Sequence, residues 1–244
     1  MYFLRLGPFL TAAAVLPAIG LLIYIYRQDR LDKEPFGLLL SLVVLGIVAT
    51  IGAGIAEQIG SRILKLFFRQ SGRLYNFLMY FGIVACSEEG AKLLLLRRRT
   101  WNNPNFDYSF DAIVYSVCVS LGFALWENIG YVAMHGFGTA VLRAVTAVPG
   151  HACFGVLMGA WYSASKEHEF YNRTGEYRKA RRLTFWVPVA AHGLYDYIAV
   201  TNSGRGDLRL VFFLLVLFGV SFSLVRRLSR EDHPLRHDSF WSNL

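Results

Sequence analysis

The sequence predicts an all-α fold: a polytopic transmembrane helical bundle of about seven to eight spans, with one further helix lying in the membrane interface. Three observations carry that prediction. The 244 residues are 55% hydrophobic and 15% aromatic, with a positive mean hydropathy, which excludes an ordinary water-soluble globule. Apolar runs approaching the ~20 residues needed to cross a bilayer recur along the whole chain. Lysines and arginines cluster just outside those runs, so the net charge of +8 reads as topology and headgroup contact, with the lipid bilayer as partner and no nucleic acid.

In order, the spans fall near 7–26, 37–55, 75–96, 110–131, 140–164, 183–201 and 208–227. The first ends "LIYIYRQDR" with no small-residue cleavage site, so it is read as a retained anchor. Between the second and third, "AEQIGSRILKLFFRQSGR" mixes basic residues with Ile, Leu and Phe, the pattern of a helix lying along the interface. Asp111 opens the fourth span, where an acid suits a helix N-terminus. The cysteines Cys86, Cys118 and Cys153 lie in apolar segments without metal-like spacing and read as small hydrophobes, and Trp126 and Trp161 read as packing or interface residues. No repeat or second soluble domain is visible: residues 1–244 form one integral-membrane domain with a motif-bearing core over 80–200. Placing Arg27, Arg30, Lys33, Arg97 to Arg99, the loop 165–182, and Arg226, Arg227, Arg230 and Arg236 inside puts the N-terminus outside and the C-terminus in the cytoplasm. The basic 56–74 linker is the exception to that rule.

Ionisable groups well inside the spans are the chemical signal. "VACSEEGAKLLLL" holds Glu88, Glu89 and Lys92; the next three spans carry Glu127, His151, and His192 with Asp196. At ~2.5–3.5 kcal/mol for each central charge, lipid exposure of this set would cost on the order of 10 kcal/mol, so the side chains must face one another or water. Ser, Thr and Asn would glue helices at lower cost; paired carboxylates beside imidazoles instead separate acid and base roles in one site. Lys92 follows Glu88 by four residues and shares its face, where it neutralises a carboxylate. His151 sits on a small-residue stripe with Ala147, Gly155 and Gly159, His192 and Asp196 share a face, and Asn128 adds an amide beside Glu127.

"SEEGAK", "FDAIVYSVCVSLGFALWENIGY", "HACFGVLMG" and "HGLYD", in this order over about residues 80–200, resemble the PrsW family of bacterial intramembrane proteases. That family is related to the type II CAAX prenyl endopeptidases of the CPBP superfamily. The resemblance implies that Glu88 and Glu89 are the paired-glutamate motif, Phe123 to Glu127 the second motif, His192 to Asp196 the last, and His151 the additional histidine of the PrsW branch. It implies catalytic roles for Glu88, Glu89, His151 and His192, with Glu88 activating water, and supporting roles for Lys92, Phe123, Glu127, Asn128 and Asp196. Three positions depart from the CAAX pattern: Lys92 stands one place before the expected arginine, Glu127 replaces a histidine, and Asp196 replaces an asparagine. The last matters because an ionised aspartate cannot donate to an oxyanion. The implied task is cleavage of a membrane-anchored protein substrate, with an anti-sigma factor as the family's example.

No cofactor is expected. Zinc is the alternative, since Glu, His and Asp all ligate it, although no His-Glu-x-x-His motif occurs. A metal-dependent membrane hydrolase, a proton-coupled transporter and a non-catalytic membrane scaffold are the competing functions; the absence of internal duplication and interrupted helices weighs against the transporter.

Overall fold

The computed structural model describes residues 7–70, 72–201 and 208–235. Arg236, counted above among the inside cations, lies outside the described residues. The described chain is helical almost throughout: α1 (Pro8–Gln28), α2 (Phe36–Phe67), α3 (Arg73–Phe77), a π-helical stretch (Leu78–Ala85), α4 (Cys86–Thr100), α5 (Asp111–His135), α6 (Phe137–Val145), α7 (Ala147–Phe170), α8 (Thr174–Thr201) and α9 (Leu208–Arg230). It is a multi-pass helical membrane bundle, as the sequence predicts.

Two boundaries differ from expectation. Residues 56–67 continue α2 and form no separate interfacial helix. No proline interrupts that run, and its 32 residues span about 48 Å, more than the ~30 Å hydrocarbon core. Arg62 and Lys65 lie in the last two turns of this long helix. The predicted span at 140–164 is divided at Thr146, whose φ of −121° and ψ of −75° lie outside the helical region, leaving α6 as a short helix before α7. Gly136, at φ +78°, turns the chain out of α5 into α6.

α5 is the central helix. Every residue from Asp111 to Ala124 is buried, as expected for a helix apolar all round, and α1, α2, α4 and α7 pack against it. Close approach depends on small residues. A Cβ on Gly122 would run into the Val43 backbone on α2, and one on Gly159 into Ser116 Oγ and the Ala112 carbonyl. The Ser116 hydroxyl also donates to the Gly155 carbonyl at 2.8 Å, tying α5 to α7.

Among the described residues, five stretches are long and apolar enough to cross a membrane: α1, α2, α5, α6 with α7, and α9. The 73–100 segment and α8 fall short because they carry the charges, and these are the two elements that deliver Glu88, Glu89, Lys92, His192 and Asp196. They meet closely at Gly193, where a Cβ would lie 2.6 Å from Phe81 Cδ1, so the residue after His192 lets α8 settle on the π-helical stretch just before Glu88. Such stretches recur at functional sites because the extra residue re-aims the following side chains.

The α1–α2, α4–α5 and α7–α8 connections and the segment after α9 share one end of the bundle. Lys166 Nζ donates to the Trp101 carbonyl at 2.8 Å, Ser109 N to the His233 carbonyl at 3.0 Å, and Tyr108 pairs with Pro234. The start of α1 and the start of α6 meet at the other end, through Phe9 and Phe137.

Candidate active site

The charges of four helices converge. Glu88, Glu89, His151 and His192 each place one donor atom within 4.8 Å of the others, and all four are buried. Their lipid-facing cost is thereby avoided, as the energetic argument demanded.

Lys92 lies at the centre. Its Nζ donates to Glu89 Oε1 at 2.8 Å and to Glu88 Oε2 at 3.5 Å, contacts His151 Nδ1 at 3.1 Å, and sits 4.1 Å from the centroid of the Phe123 ring. Phe123, expected as a supporting residue, places its π face beneath this buried ammonium.

The two glutamates are held differently. Glu89 is fully buried, with Oε1 2.8 Å from both Lys92 Nζ and His192 Nδ1, while its Oε2 is buried with no hydrogen-bond partner among the described residues. Glu88 keeps 7% of its side chain exposed and makes only long contacts, 3.5 Å to Lys92 and 3.8 Å to His192 Nε2. The first carboxylate is clamped; the second is available.

His192 is stacked on Phe154, with ring centroids 4.7 Å apart and planes 16° from parallel. Its Nε2 also faces Asp196 Oδ2 at 3.4 Å, so the last motif holds an imidazole between carboxylates. His151 Nε2 pairs with Glu127 Oε2 at 3.0 Å. Glu127, replacing the histidine of the CAAX pattern, therefore acts on a histidine from α7. Asn128 faces away from the glutamates: its amide donates to the Ala14 carbonyl at 2.7 Å and its oxygen accepts from Arg143 Nε at 3.1 Å.

Two residues of this centre escaped the sequence reading. Arg143, on α6, donates to Glu127 Oε2 at 3.3 Å and to Asn128, with its guanidinium 4.0 Å from the Tyr131 ring centroid. The signal was present, since an arginine inside an apolar run needs a partner. Glu57, on α2, is half-buried within electrostatic range of Glu127, His192, Asp196 and Lys92. Its stretch read as interfacial, which hid it.

Exposure rises from Glu89 and Lys92, which are sealed, to Asp196 at 21% and Glu127 at 23%. The centre therefore opens on the side of Glu127, Arg143 and Asp196, towards the bundle end that holds α6.

Comparison with known proteins places this arrangement in context. A family model described as "PrsW family intramembrane metalloprotease" matches residues 34–224. Relatives named Protease PrsW include those of Oceanobacillus iheyensis, 31% identical over 222 residues (88% of this chain, 94% of the relative), and Bacillus subtilis, 32% identical over 198 residues (79% and 83%). That of Geobacillus kaustophilus is 29% identical over 229 residues, covering 92% and 94%. No solved structure matches.

Proposed function

This chain belongs to the PrsW family of intramembrane proteases, and on that premise we propose that it cleaves a membrane-anchored protein within or near the bilayer with water activated by Glu88. It is a membrane-embedded endopeptidase. The observation that carries the finer reading is the contrast between adjacent carboxylates: Glu89 is clamped at 2.8 Å by Lys92 and His192, whereas Glu88 has no hydrogen bond or ion pair shorter than 3.5 Å among the described residues and can accept a proton from water.

In this mechanism Glu88 takes the proton as water attacks the scissile carbonyl. His192, beside Glu88 and oriented through Nε2 by Asp196, relays a proton to the leaving amine. Lys92 offsets the charge of Glu89 so that two glutamates can share a buried site. Asp196 acts as an acceptor that orients imidazole, which suits an aspartate better than oxyanion donation. Glu127, braced by Arg143, fixes His151 through Nε2.

The family model's description names a metal, and the donors fit one. Two carboxylates and two imidazoles within 4.8 Å, with Glu89 Oε2 buried and bare, match zinc preferences; Glu88, Glu89, His151 and His192 would hold it. It would supply Lewis-acid polarisation and a more acidic water. The Lys92 ammonium contacts three of those four side chains, so a metal there must displace it. That competition favours the metal-free glutamate mechanism.

The substrate class is a single-span membrane protein, with an anti-sigma factor as the physiological candidate. The basic residues at the end shared by the α1–α2 and α7–α8 connections support placing that end in the cytoplasm, with the site opening towards the outer face. The test is cleavage of a single-span substrate by metal-analysed, purified protein with and without a strong chelator. Undiminished cleavage by metal-free protein supports the glutamate mechanism; loss on stripping with recovery on zinc return supports the metal site.

A further inference from the structure

Between α4 and α8, a groove of about 310 Å³ opens on the side where Leu94 is exposed. Helical spacing builds it in two tiers. On α4, Gly90, Leu93, Leu94 and Arg97 share one face, so an apolar strip ends in a guanidinium. On α8, which runs the opposite way, Arg181 stands at the same end of the bundle as Arg97, with Phe185 one turn deeper on its own face. The polar groups of the floor are already satisfied: the Tyr162 hydroxyl pairs with Thr100 Oγ1 at 2.9 Å, and Ser165 Oγ with Thr184 Oγ1 at 3.3 Å. The deep end closes where Phe185 Cε2 would lie 3.6 Å from a Cβ on Gly90.

The mouth is positive and lacks a counter-charge. Arg97, half-buried, is held by neutral groups: its Nη2 donates to the Tyr177 hydroxyl at 3.3 Å, and its guanidinium carbon lies 4.9 Å from the Trp101 ring centroid. The acids at the adjoining end of α7 are engaged elsewhere, Glu169 with Trp101 Nε1 at 3.2 Å and Lys166 at 3.4 Å, and Glu167 with His233 at 3.9 Å. Neither Arg97 nor Arg181 has a carboxylate at salt-bridge distance among the described residues. Arg97 opens the arginine run that ends α4, which puts it at headgroup level, and Gly90 lies ~10 Å deeper along the helix. A slot that is apolar at hydrocarbon depth and ends under two guanidiniums matches an acyl chain below a phosphate, the anion to which arginine binds in bidentate fashion. A free phosphate would leave the apolar tier empty.

We propose that this groove binds one anionic phospholipid, its phosphate taken by Arg97 and Arg181 and an acyl chain lying along Leu93, Leu94 and Phe185. The lipid ties the end of α4 to the start of α8, the two elements whose charges leave them short of an apolar span. The groove shares no residue with the proteolytic centre and stands whether or not the glutamate mechanism holds.

Delipidated full-length protein in detergent, titrated with dioleoyl phosphatidylglycerol or dioleoyl phosphatidylcholine, provides the test, with bound lipid followed by native mass spectrometry and melting curves recorded in parallel. Phosphatidylglycerol should bind ~10-fold or more tighter than phosphatidylcholine and raise Tm further, and Arg97→Gln/Arg181→Gln should lose both preferences. Arg226→Gln/Arg227→Gln, which removes the same charge at the same end of the bundle, should keep them. Arg181→Gln alone, a change at an exposed side chain, should shift binding in the same direction and carries the test if the double variant does not fold. Equal affinity for the two lipids would overturn the proposal. So would an equal loss of preference in both arginine pairs, because the lipid would then answer net charge alone. Displacement of the bound lipid by millimolar glycerol 3-phosphate would make the phosphate group the whole ligand, and a dimer that Arg97→Gln/Arg181→Gln dissociates would make a second copy of the chain the occupant; either result overturns the proposal.

Discussion

Replacing Lys92 with methionine keeps the length of the side chain and removes its charge, and the structure sets the size of the effect. The ammonium is completely buried, donates at 2.8 Å to Glu89, at 3.5 Å to Glu88, contacts His151 at 3.1 Å and lies on the Phe123 ring. Its loss leaves Glu89 with His192 alone and two adjacent carboxylates uncompensated. Removing one member of a buried ion pair costs ~3–5 kcal/mol; the loosely held Glu88 contact adds little. Lys92→Met should therefore destabilise the protein by ~3–5 kcal/mol and abolish cleavage. The Lys92→Met/Glu89→Gln protein removes both members, so it should regain ~2–3 kcal/mol of that loss, the upper range of pairwise coupling, while remaining inactive. The assay is reversible unfolding in mixed micelles across the four-protein cycle, with cleavage of a single-span substrate in parallel. Additive losses, or an active Lys92→Met enzyme, would refute the claim that this lysine offsets Glu89.

Three further outcomes are expected. Arg143→Ala frees Glu127 and Asn128 without touching Glu88, so kcat should fall by ~10-fold or more, with a stability loss of ~1–3 kcal/mol because the buried Asn128 oxygen loses its donor, and Arg143→Lys should restore part of the rate; a wild-type rate in Arg143→Ala removes its positioning role. Gly122→Leu drives a side chain into the Val43 backbone and should cost more than ~3 kcal/mol of stability, measured by the same unfolding assay. Burial raises Asp29 from 3.8 to about 6 and Glu34 from 4.5 to about 7, with Asp232 adding to the first, Asp107 to the second, and Lys33 opposing for Asp29. The native state then binds more protons than the unfolded chain between about pH 4 and 7, so the contribution of these two groups to stability should fall as pH rises through that window; Asp29→Asn/Glu34→Gln melting curves from pH 4 to 8 with the same pH dependence as the wild type would contradict it.

The convergence of Glu88, Glu89, His151 and His192 was legible because burying each charge is so costly in lipid that the residues had to meet. Lys92 was legible from helical spacing. The two glutamates were not separable that way, since their difference arises from which oxygen the α8 histidine reaches, and that depends on Gly193 settling against Phe81. Glu57 was hidden because an amphipathic run can either lie on the membrane or continue a long helix, and periodicity is the same in both cases. The break at Thr146 did have a signal: Pro149, in the first turn of α7, has no N–H for the Val145 carbonyl and crowds it, but the continuous apolar run across it read as one span. Asp111 was legible as well: it opens α5, as its position suggested, and its carboxylate takes the backbone N–H groups of Asp107 and Tyr108 in the preceding loop.

The central claim is that Glu88 is the base, and its most direct measurement is the single-turnover cleavage rate of Glu88→Gln beside the wild type and Glu89→Gln, each shown by its melting curve to be folded. The glutamine retains the shape and some hydrogen bonding of Glu88 but cannot take the proton, so the rate should drop by ~10² or more. A folded Glu88→Gln protein that cleaves within threefold of the wild type, while Glu89→Gln is inactive, would contradict the assignment and move the base to the clamped carboxylate.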